Sequence, residues 1–134
     1  MNRTLDEKET LEACRDHWQW LADHPEKGKE DWPDLDENLC EDCYCCDFLK
    51  RTNGDIDCAL CPLSGYAWPV AGWPACLKSK ESYYDQWSTP HYILTGNRIE
   101  DGRDRKELLA DKRKHALLMV EACEAALVGG PKRF

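Results

Sequence analysis

Cysteine carries the clearest chemistry in this sequence, because nine of its 134 residues are cysteines. Seven of the nine fall between positions 40 and 76, and two pairs there have the spacing Cys-x-x-Cys, Cys43 with Cys46 and Cys58 with Cys61. Each such pair forms a tight knuckle that turns two sulfurs toward one ion, and two knuckles complete a tetrahedral thiolate site. The spacing therefore predicts a zinc site in the middle of the chain.

The ligands that we predict for this zinc ion are Cys43, Cys46, Cys58 and Cys61. Two neighbours offer alternatives, since Cys40 forms a second Cys-x-x-Cys pair with Cys43, and Cys76 is a further thiol within reach of the same region. Cys45 fits neither register and is the least favoured member of the group. The alternatives leave the exact ligand set open among these thiols.

The remaining two cysteines, Cys14 and Cys123, lie outside the cysteine-rich segment on the apolar faces of predicted helices. A free cysteine in such a position behaves as a small hydrophobic side chain. We therefore interpret both as core residues.

Four thiolates favour a structural metal site, since a catalytic zinc ion usually has fewer thiolate ligands and keeps one position for water. An iron–sulfur cluster uses the same ligands and is the alternative cofactor. The sequence contains no phosphate-binding glycine loop, no nucleophile elbow and no His-Glu-x-x-His motif. We therefore expect a structural Zn²⁺ ion and a protein that is not an enzyme.

The number and setting of the cysteines favour metal binding over disulfides. The count is odd, and the first residues have no apolar stretch of the kind that a secretory signal requires. In a reducing cytosol, clustered cysteines more often bind metals than pair with one another. The longest apolar run, 116–120, is far too short to cross a bilayer. We expect a soluble cytoplasmic protein with no membrane partner.

Charge is distributed unevenly along the chain. Residues 1–50 contain 15 acidic and 6 basic side chains, a net charge of −9, whereas residues 51–134 contain 11 acidic and 12 basic ones, a net charge of +1. An acidic surface repels phosphate backbones and suits a basic partner. As the speculative contact we name four acidic residues, Asp34, Asp36, Glu37 and Glu41. A mixed-charge cluster at 98–114 leaves nucleic-acid binding as an alternative.

The apolar pattern predicts a mainly α fold in a single domain, 1–134. Apolar residues recur at helical spacing over 4–24 and over 103–128, which predicts two long terminal helices packed around the zinc centre. Between them we expect an irregular or partly β zinc-knuckle region, 40–76, and a short helix, 79–88, that ends before Pro90. A short strand is predicted at 91–95.

The order of these segments resembles a group of small cysteine-rich zinc-knuckle proteins encoded by tailed bacteriophages and prophages. The residues that carry the resemblance are Trp18-Gln-Trp20-Leu21-Ala22, Lys29-Glu-Asp-Trp32-Pro33, Cys43-x-x-Cys46-Asp-Phe48, Cys58-x-x-Cys61-Pro62-Leu63, Cys76 and Tyr84-x-x-Trp87. The chain departs from the group's pattern in Cys40, in Cys45 and in the stretch 91–98. The resemblance implies no enzymatic activity.

The sequence as a whole suggests a zinc-stabilised phage or prophage accessory protein in the cytoplasm of the host bacterium. Under this hypothesis the protein binds a macromolecular partner and inhibits it, with a host or defence-system protein as the favoured partner. A nucleic-acid-binding zinc protein is the first alternative. A thiol redox sensor is the second, because the thiols between positions 40 and 46 are crowded.

Overall fold

The computed structural model of the chain describes residues 6–35, 43–55, 58–70, 81–96 and 98–134. Within these ranges four α-helices follow one another: α1 (Glu7–Asp23), α2 (Tyr44–Asn53), α3 (Tyr83–Leu94) and α4 (Arg105–Leu127). Two short 3₁₀ turns, Lys29–Asp31 and Cys58–Leu60, lie between the helices. The prediction of a mainly α fold is confirmed. None of the described helices is long and apolar enough to cross a membrane.

Helix α1 begins with a reciprocal cap that its sequence specifies. The Glu9 amide donates to Asp6 Oδ1 at 2.8 Å, and the Asp6 amide donates to the Glu9 carboxylate at 3.4 Å. Its buried face includes Leu11, Cys14, Trp18 and Leu21, which recur at intervals of three and four residues. The predicted helix 4–24 is therefore present with slightly shorter bounds.

Helix α4 is the central packing element, since both α1 and α3 pack against it. Ala116, Met119 and Cys123 are fully buried on α4, opposite Trp18 and Leu21 of α1. Asp104 caps the first turn by accepting a hydrogen bond of 2.8 Å from the Glu107 amide. The long C-terminal helix predicted at 103–128 thus lies in the core, packed against the N-terminal helix.

Helix α3 differs from the sequence prediction at both ends. It begins after Ser82, whose hydroxyl accepts from the Asp85 amide at 3.3 Å, and it continues through Pro90 to Leu94. The predicted end at Pro90 and the predicted strand 91–95 are therefore wrong. Proline removes one helical hydrogen bond, but Pro90 and Ile93 are both buried, so packing holds the last turn in helical form.

Helix α2 lies inside the segment for which we expected knuckles and short strands. Its first turn follows directly after Cys43. Gly54 caps its C-terminus, and the φ of 78° at Gly54 lies in the left-handed region that favours glycine. In the described part of this segment, the β-pairing consists of one isolated bridge between Ser64 and Trp68. The cysteine-rich centre is thus built partly from a helix that packs against α1.

Candidate metal centre

Three cysteine thiols meet where α1 packs against the start of α2. The sulfur atoms of Cys14, Cys43 and Cys45 all lie within 4.8 Å of one another. Cys14 and Cys45 are buried, and Cys43 is partly exposed as a residue although its thiol is enclosed with the other two. We call these three residues the thiol triad. Thiols at this distance from one another could hold a metal ion.

Each member of the thiol triad also contacts one further cysteine. The Cys14 thiol hydrogen-bonds with that of Cys123 on α4. Cys43 is paired in the same way with Cys46, and Cys45 with Cys61. We call Cys46, Cys61 and Cys123 the outer thiols. Six cysteines from four separate segments thus form one continuous network of sulfur contacts.

The local structure explains how the triad is assembled. Cys14 lies on the apolar face of α1, so the packing that buries Trp18 and Leu21 also turns its thiol inward. Cys43 is the residue that precedes the first turn of α2, and Cys45 is the second residue of that helix. The unpaired amides at a helix N-terminus favour negative charge nearby. The start of α2 therefore favours a thiolate at Cys43, the residue that directly precedes its first turn.

Lys29 places a positive charge beside the triad. The residue is 7% exposed, and its Nζ donates a hydrogen bond of 2.8 Å to the Tyr84 hydroxyl. Burial alone would lower the pKa of Lys29, but the negative charge that Tyr84, Cys43 and Cys14 can carry raises it above its usual value. Lys29 therefore stays protonated and compensates charge on the thiols.

The three thiols of the triad differ in their tendency to ionise. Hydrogen bonds from Cys14, Cys45 and Cys46 lower the pKa of Cys43 well below its usual value. The pKa of Cys14 is raised, chiefly by its hydrogen bond with Cys123, and that of Cys45 is raised, chiefly by its hydrogen bond with Cys14. Cys43 is thus the member of the triad whose thiol ionises most readily, which makes it the first candidate ligand for a cation.

The triad fits the geometry of a thiolate metal site. Bonds of about 2.3 Å in a tetrahedron place the sulfurs about 3.8 Å apart, which lies within the 4.8 Å limit of the observed separations. An all-sulfur donor set selects soft or borderline ions such as Zn²⁺, or iron in a sulfide cluster. The triad supplies three ligands, and among the described residues no further thiol lies within 4.8 Å of all three sulfurs, so the fourth ligand stays a prediction.

The structure describes part of the ligand set that the sequence predicts. It places Cys43 in the triad, Cys46 next to Cys43, and Cys61 next to Cys45. Cys40, Cys76 and the side chain of Cys58 lie outside the described residues, so their part in metal binding stays a prediction.

Two members of the triad are residues that the sequence reasoning set aside. Cys14 is buried as expected for a core residue, but its thiol faces those of Cys43 and Cys45. Cys45, the least favoured ligand on spacing, is fully buried at the centre of the network. The place of Lys29 beside the thiols was not predicted either, because nothing in its local sequence shows that it is buried.

An acidic loop follows α1 and is attached to the thiol triad. Its exposed acidic residues are Glu26, Glu30, Asp31 and Asp34. The loop is held from inside by Lys29, and His17 Nε2 donates to the Lys29 carbonyl oxygen at 2.8 Å while its ring stacks on Trp32. Of the four acidic residues predicted to contact a partner, Asp34 belongs to this loop, and Asp36, Glu37 and Glu41 lie outside the described residues.

Comparison of the chain with models of known protein families, with curated proteins and with solved structures gives no match. The similarity to cysteine-rich phage proteins therefore stays a prediction from the sequence.

Proposed function

We propose that the protein is a zinc-stabilised binding protein in which the metal centre fixes an acidic loop for contact with a basic macromolecular partner. The observation that carries the proposal is the enclosure of the Cys14, Cys43 and Cys45 thiols within 4.8 Å of one another. Three enclosed thiols supply most of the ligands of a tetrahedral ion, and a fourth cysteine would complete the site. Such a closed site would stabilise the fold and leave no place for a substrate.

Zn²⁺ is the ion that this proposal names. It matches an all-thiolate, tetrahedral donor set, and binding to such sites contributes on the order of 10–16 kcal/mol in zinc-finger peptides. This free energy would hold α1, α2 and the loop around Cys61 together. Lys29 would offset part of the negative charge that the thiolates bring into the interior.

The acidic loop supplies the binding surface in this proposal. Four of its described carboxylates are exposed, whereas its one buried cation, Lys29, faces the thiols. Electrostatic complementarity with a basic surface would raise the association rate and select the partner. In line with the sequence resemblance, we propose a host or defence-system protein of a bacterium as that partner, which the protein would inhibit by occupying a basic site.

Elemental analysis of protein purified without added metal tests the metal part of the proposal. We expect at least one zinc ion per chain, and thiols that react with a thiol reagent only after chelation. Protein without metal, with all thiols reactive from the start, would overturn the metal part. Iron and sulfide in place of zinc would replace the structural ion with a cluster of different chemistry.

A comparison of two charge-reversed variants tests the binding part. The first reverses Glu26, Glu30 and Asp34 of the acidic loop, and the matched control reverses the same number of exposed acidic residues of α4, Glu107, Glu121 and Glu124. We expect proteins captured from bacterial lysate by the wild type to be lost with the first variant and kept with the control. Equal capture by both variants would show that the acidic loop does not contact the partner. A salt-sensitive gel shift with DNA or RNA would favour nucleic-acid binding instead.

A further inference from the structure

The thiol triad brings together cysteines from two helices without linking them. Cys14 lies in the middle of α1, whereas Cys43 and Cys45 lie at the start of α2, and the three sulfur atoms lie within 4.8 Å of one another. None of the three forms a disulfide bond in the structure. Unlinked thiols at such distances support two kinds of chemistry, which are the binding of a metal ion and oxidation to a disulfide.

The separation of the sulfurs suits a disulfide as well as a metal ion. A disulfide has its two sulfurs about 2.05 Å apart, so an approach of less than about 3 Å from the observed separations would form the bond. Helices α1 and α2 already pack against each other. The fold therefore supplies the long-range part of this encounter, and rotation of two side chains supplies the rest.

Cys43 is the member of the triad that an oxidant attacks first. It is partly exposed, whereas Cys14 and Cys45 are 2% and 0% exposed. A bond from Cys43 to Cys45 would close a small ring across a single residue, Tyr44, in the first turn of α2. Cys14 belongs to a different helix, so a bond from Cys43 to Cys14 avoids this ring.

We propose that the triad is an oxidation-sensitive switch in which a hydroperoxide converts Cys43 and Cys14 into a disulfide that joins the start of α2 to α1. This disulfide would use two of the three ligands that the structure brings together, so the oxidised triad would hold no metal ion. The inference extends the proposed function, since it makes zinc binding reversible, but the disulfide itself does not depend on zinc. Disulfides of cytosolic proteins are usually transient bonds of this redox-sensing kind.

The reaction with hydrogen peroxide proceeds in two balanced steps. In the first, the Cys43 thiolate attacks one peroxide oxygen, the O–O bond breaks, and a sulfenic acid forms while hydroxide leaves. In the second, the Cys14 thiolate attacks the Cys43 sulfur, the S–O bond breaks, and a second hydroxide leaves. The two hydroxide ions take up the two protons of the thiols and become water. The two sulfurs together lose two electrons, and the peroxide gains them.

Aromatic contacts connect the triad with the acidic loop. Tyr44, which lies between the two α2 cysteines, packs edge-on against the rings of His17 and Trp32, with 6.2 Å between centroids in both pairs. The His17 ring stacks on Trp32 with 4.8 Å between centroids, and its Nε2 lies 2.8 Å from the Lys29 carbonyl oxygen. Trp32 and Lys29 belong to the loop. A shift of the start of α2 toward α1 would therefore reach the proposed binding surface.

Treatment of the purified wild type with hydrogen peroxide tests the proposal, with the remaining thiols blocked before digestion and the peptides identified by mass spectrometry. We expect a peptide pair that is linked through Cys14 and Cys43 and that dithiothreitol separates. In protein that carries zinc, a chromophoric chelator should record release of the ion at the rate at which the linked pair forms. Absence of this pair, a disulfide from Cys43 to another cysteine, or zinc that stays bound to the cross-linked chain would overturn the switch.

Cys14→Ser and Cys45→Ser distinguish the disulfide from the metal site, because each removes one triad thiol but only Cys14 is a partner in the proposed bond. We expect Cys45→Ser to form the link from Cys14 to Cys43. Cys14→Ser should instead accumulate sulfenic acid at Cys43, which the carbon nucleophile dimedone labels.

Loss of the link in a Cys45→Ser protein that keeps its helices by circular dichroism would overturn the pairing, and the mapping of the wild type decides the question if a variant does not fold. Absence of zinc from a wild type that forms the link would overturn the proposed zinc site and leave this inference standing. Bound zinc without the link would do the reverse.

Discussion

The Nζ of Lys29 donates a hydrogen bond of 2.8 Å to the Tyr84 hydroxyl, and this bond joins the acidic loop to α3. The same ammonium lies 4.5 Å from the centroid of the Tyr84 ring and 5.9 Å from that of Trp18. It also interacts with the charge of Cys43 and Cys14. One buried cation therefore connects the loop, two helices and the thiol triad, and we expect a change at the triad to act on the loop through it.

Replacement of Cys14 by serine should remove most of the metal affinity, although Cys14 lies far in sequence from the other cysteines. The physical reason is that its thiol belongs to the triad, within 4.8 Å of both other sulfurs. We expect a loss greater than the roughly 10–100-fold that follows removal of a residue that merely orients a ligand. Competition with a chromophoric chelator measures the affinity.

Ala13→Ser is the matched control for this variant, because it introduces the same residue at the preceding position of α1. Its affinity should equal that of the wild type. Equal affinities for Cys14→Ser and Ala13→Ser would show that the ion is bound elsewhere, as in the set Cys43, Cys46, Cys58 and Cys61 that the sequence predicts.

Lys29→Met should weaken metal binding about 10–100-fold, the range for a group that tunes a ligand without touching the ion. Methionine keeps the length and packing of the side chain but removes the charge that stabilises thiolates. Lys50→Met is the control, since Lys50 is an exposed lysine on α2. The same chelator competition applies, and an unchanged affinity in Lys29→Met would mean that the charge of Lys29 does not reach the site.

The terminal helices could be predicted from the sequence because their apolar residues repeat over many turns. Leu11, Cys14 and Trp18 mark the buried face of α1 without any knowledge of its neighbours. The end of α3 could not be predicted in this way, since a proline such as Pro90 normally ends a helix. Here the burial of Ile93 in the core stabilises the last helical turn. Helix α2 was missed because its first turn is occupied by cysteines that spacing alone assigned to a knuckle.

The sequence predicted that thiols would form the candidate site, but it did not predict which cysteines would come together. Spacing identifies thiols that are close in sequence, and it placed metal binding in the segment that contains Cys43 and Cys45. The contribution of Cys14 depends on α1 packing against α2, which brings together residues 29 positions apart. The role of Lys29 could not be predicted for the same reason, because a lysine in an acidic stretch gives no sign of burial until the fold is known.

Removal of the metal should make the acidic loop more accessible to a protease that cleaves after glutamate. Glu26 and Glu30 are exposed in this loop, but their backbone is held near the triad by Lys29 and His17. We expect cleavage at these two positions to become at least about tenfold faster after chelation, because local opening exposes the backbone. Mass spectrometry of the fragments gives the rate at each position.

Glu121 and Glu124 provide the internal control, since both are exposed and belong to the continuous helix α4 and not to the loop. Their cleavage should change less than that at Glu26 and Glu30. Equal acceleration at all four positions would indicate global unfolding. An unchanged rate at Glu26 and Glu30 would show that the bound metal does not hold the loop in place.

A second buried lysine, Lys112 on α4, should make stability depend on pH independently of the thiols. Its Nζ donates to the Lys27 carbonyl oxygen at 3.0 Å and to Nδ1 of His91 at 3.1 Å, and it lies 5.1 Å from the centroid of the Trp87 ring. Burial lowers the pKa of Lys112 to about 8, although Glu26, Glu30 and Asp31 act in the opposite direction. Its value in the unfolded chain is about 10.4.

Because the pKa of Lys112 is lower in the folded chain, the unfolded chain binds more protons between pH 8 and the unfolded pKa. The contribution of Lys112 to the free energy of unfolding should therefore rise with pH across this window. We expect a gain of about 1–3 kcal/mol between pH 7.5 and 10, taken from about 1.4 kcal/mol per pKa unit. Urea denaturation of metal-loaded wild type and of Lys112→Met at both pH values isolates the effect, since the thiols are common to both proteins. A difference between the two proteins that stays constant, or that falls with rising pH, would show that Lys112 titrates near its ordinary value and is better solvated than its contacts indicate.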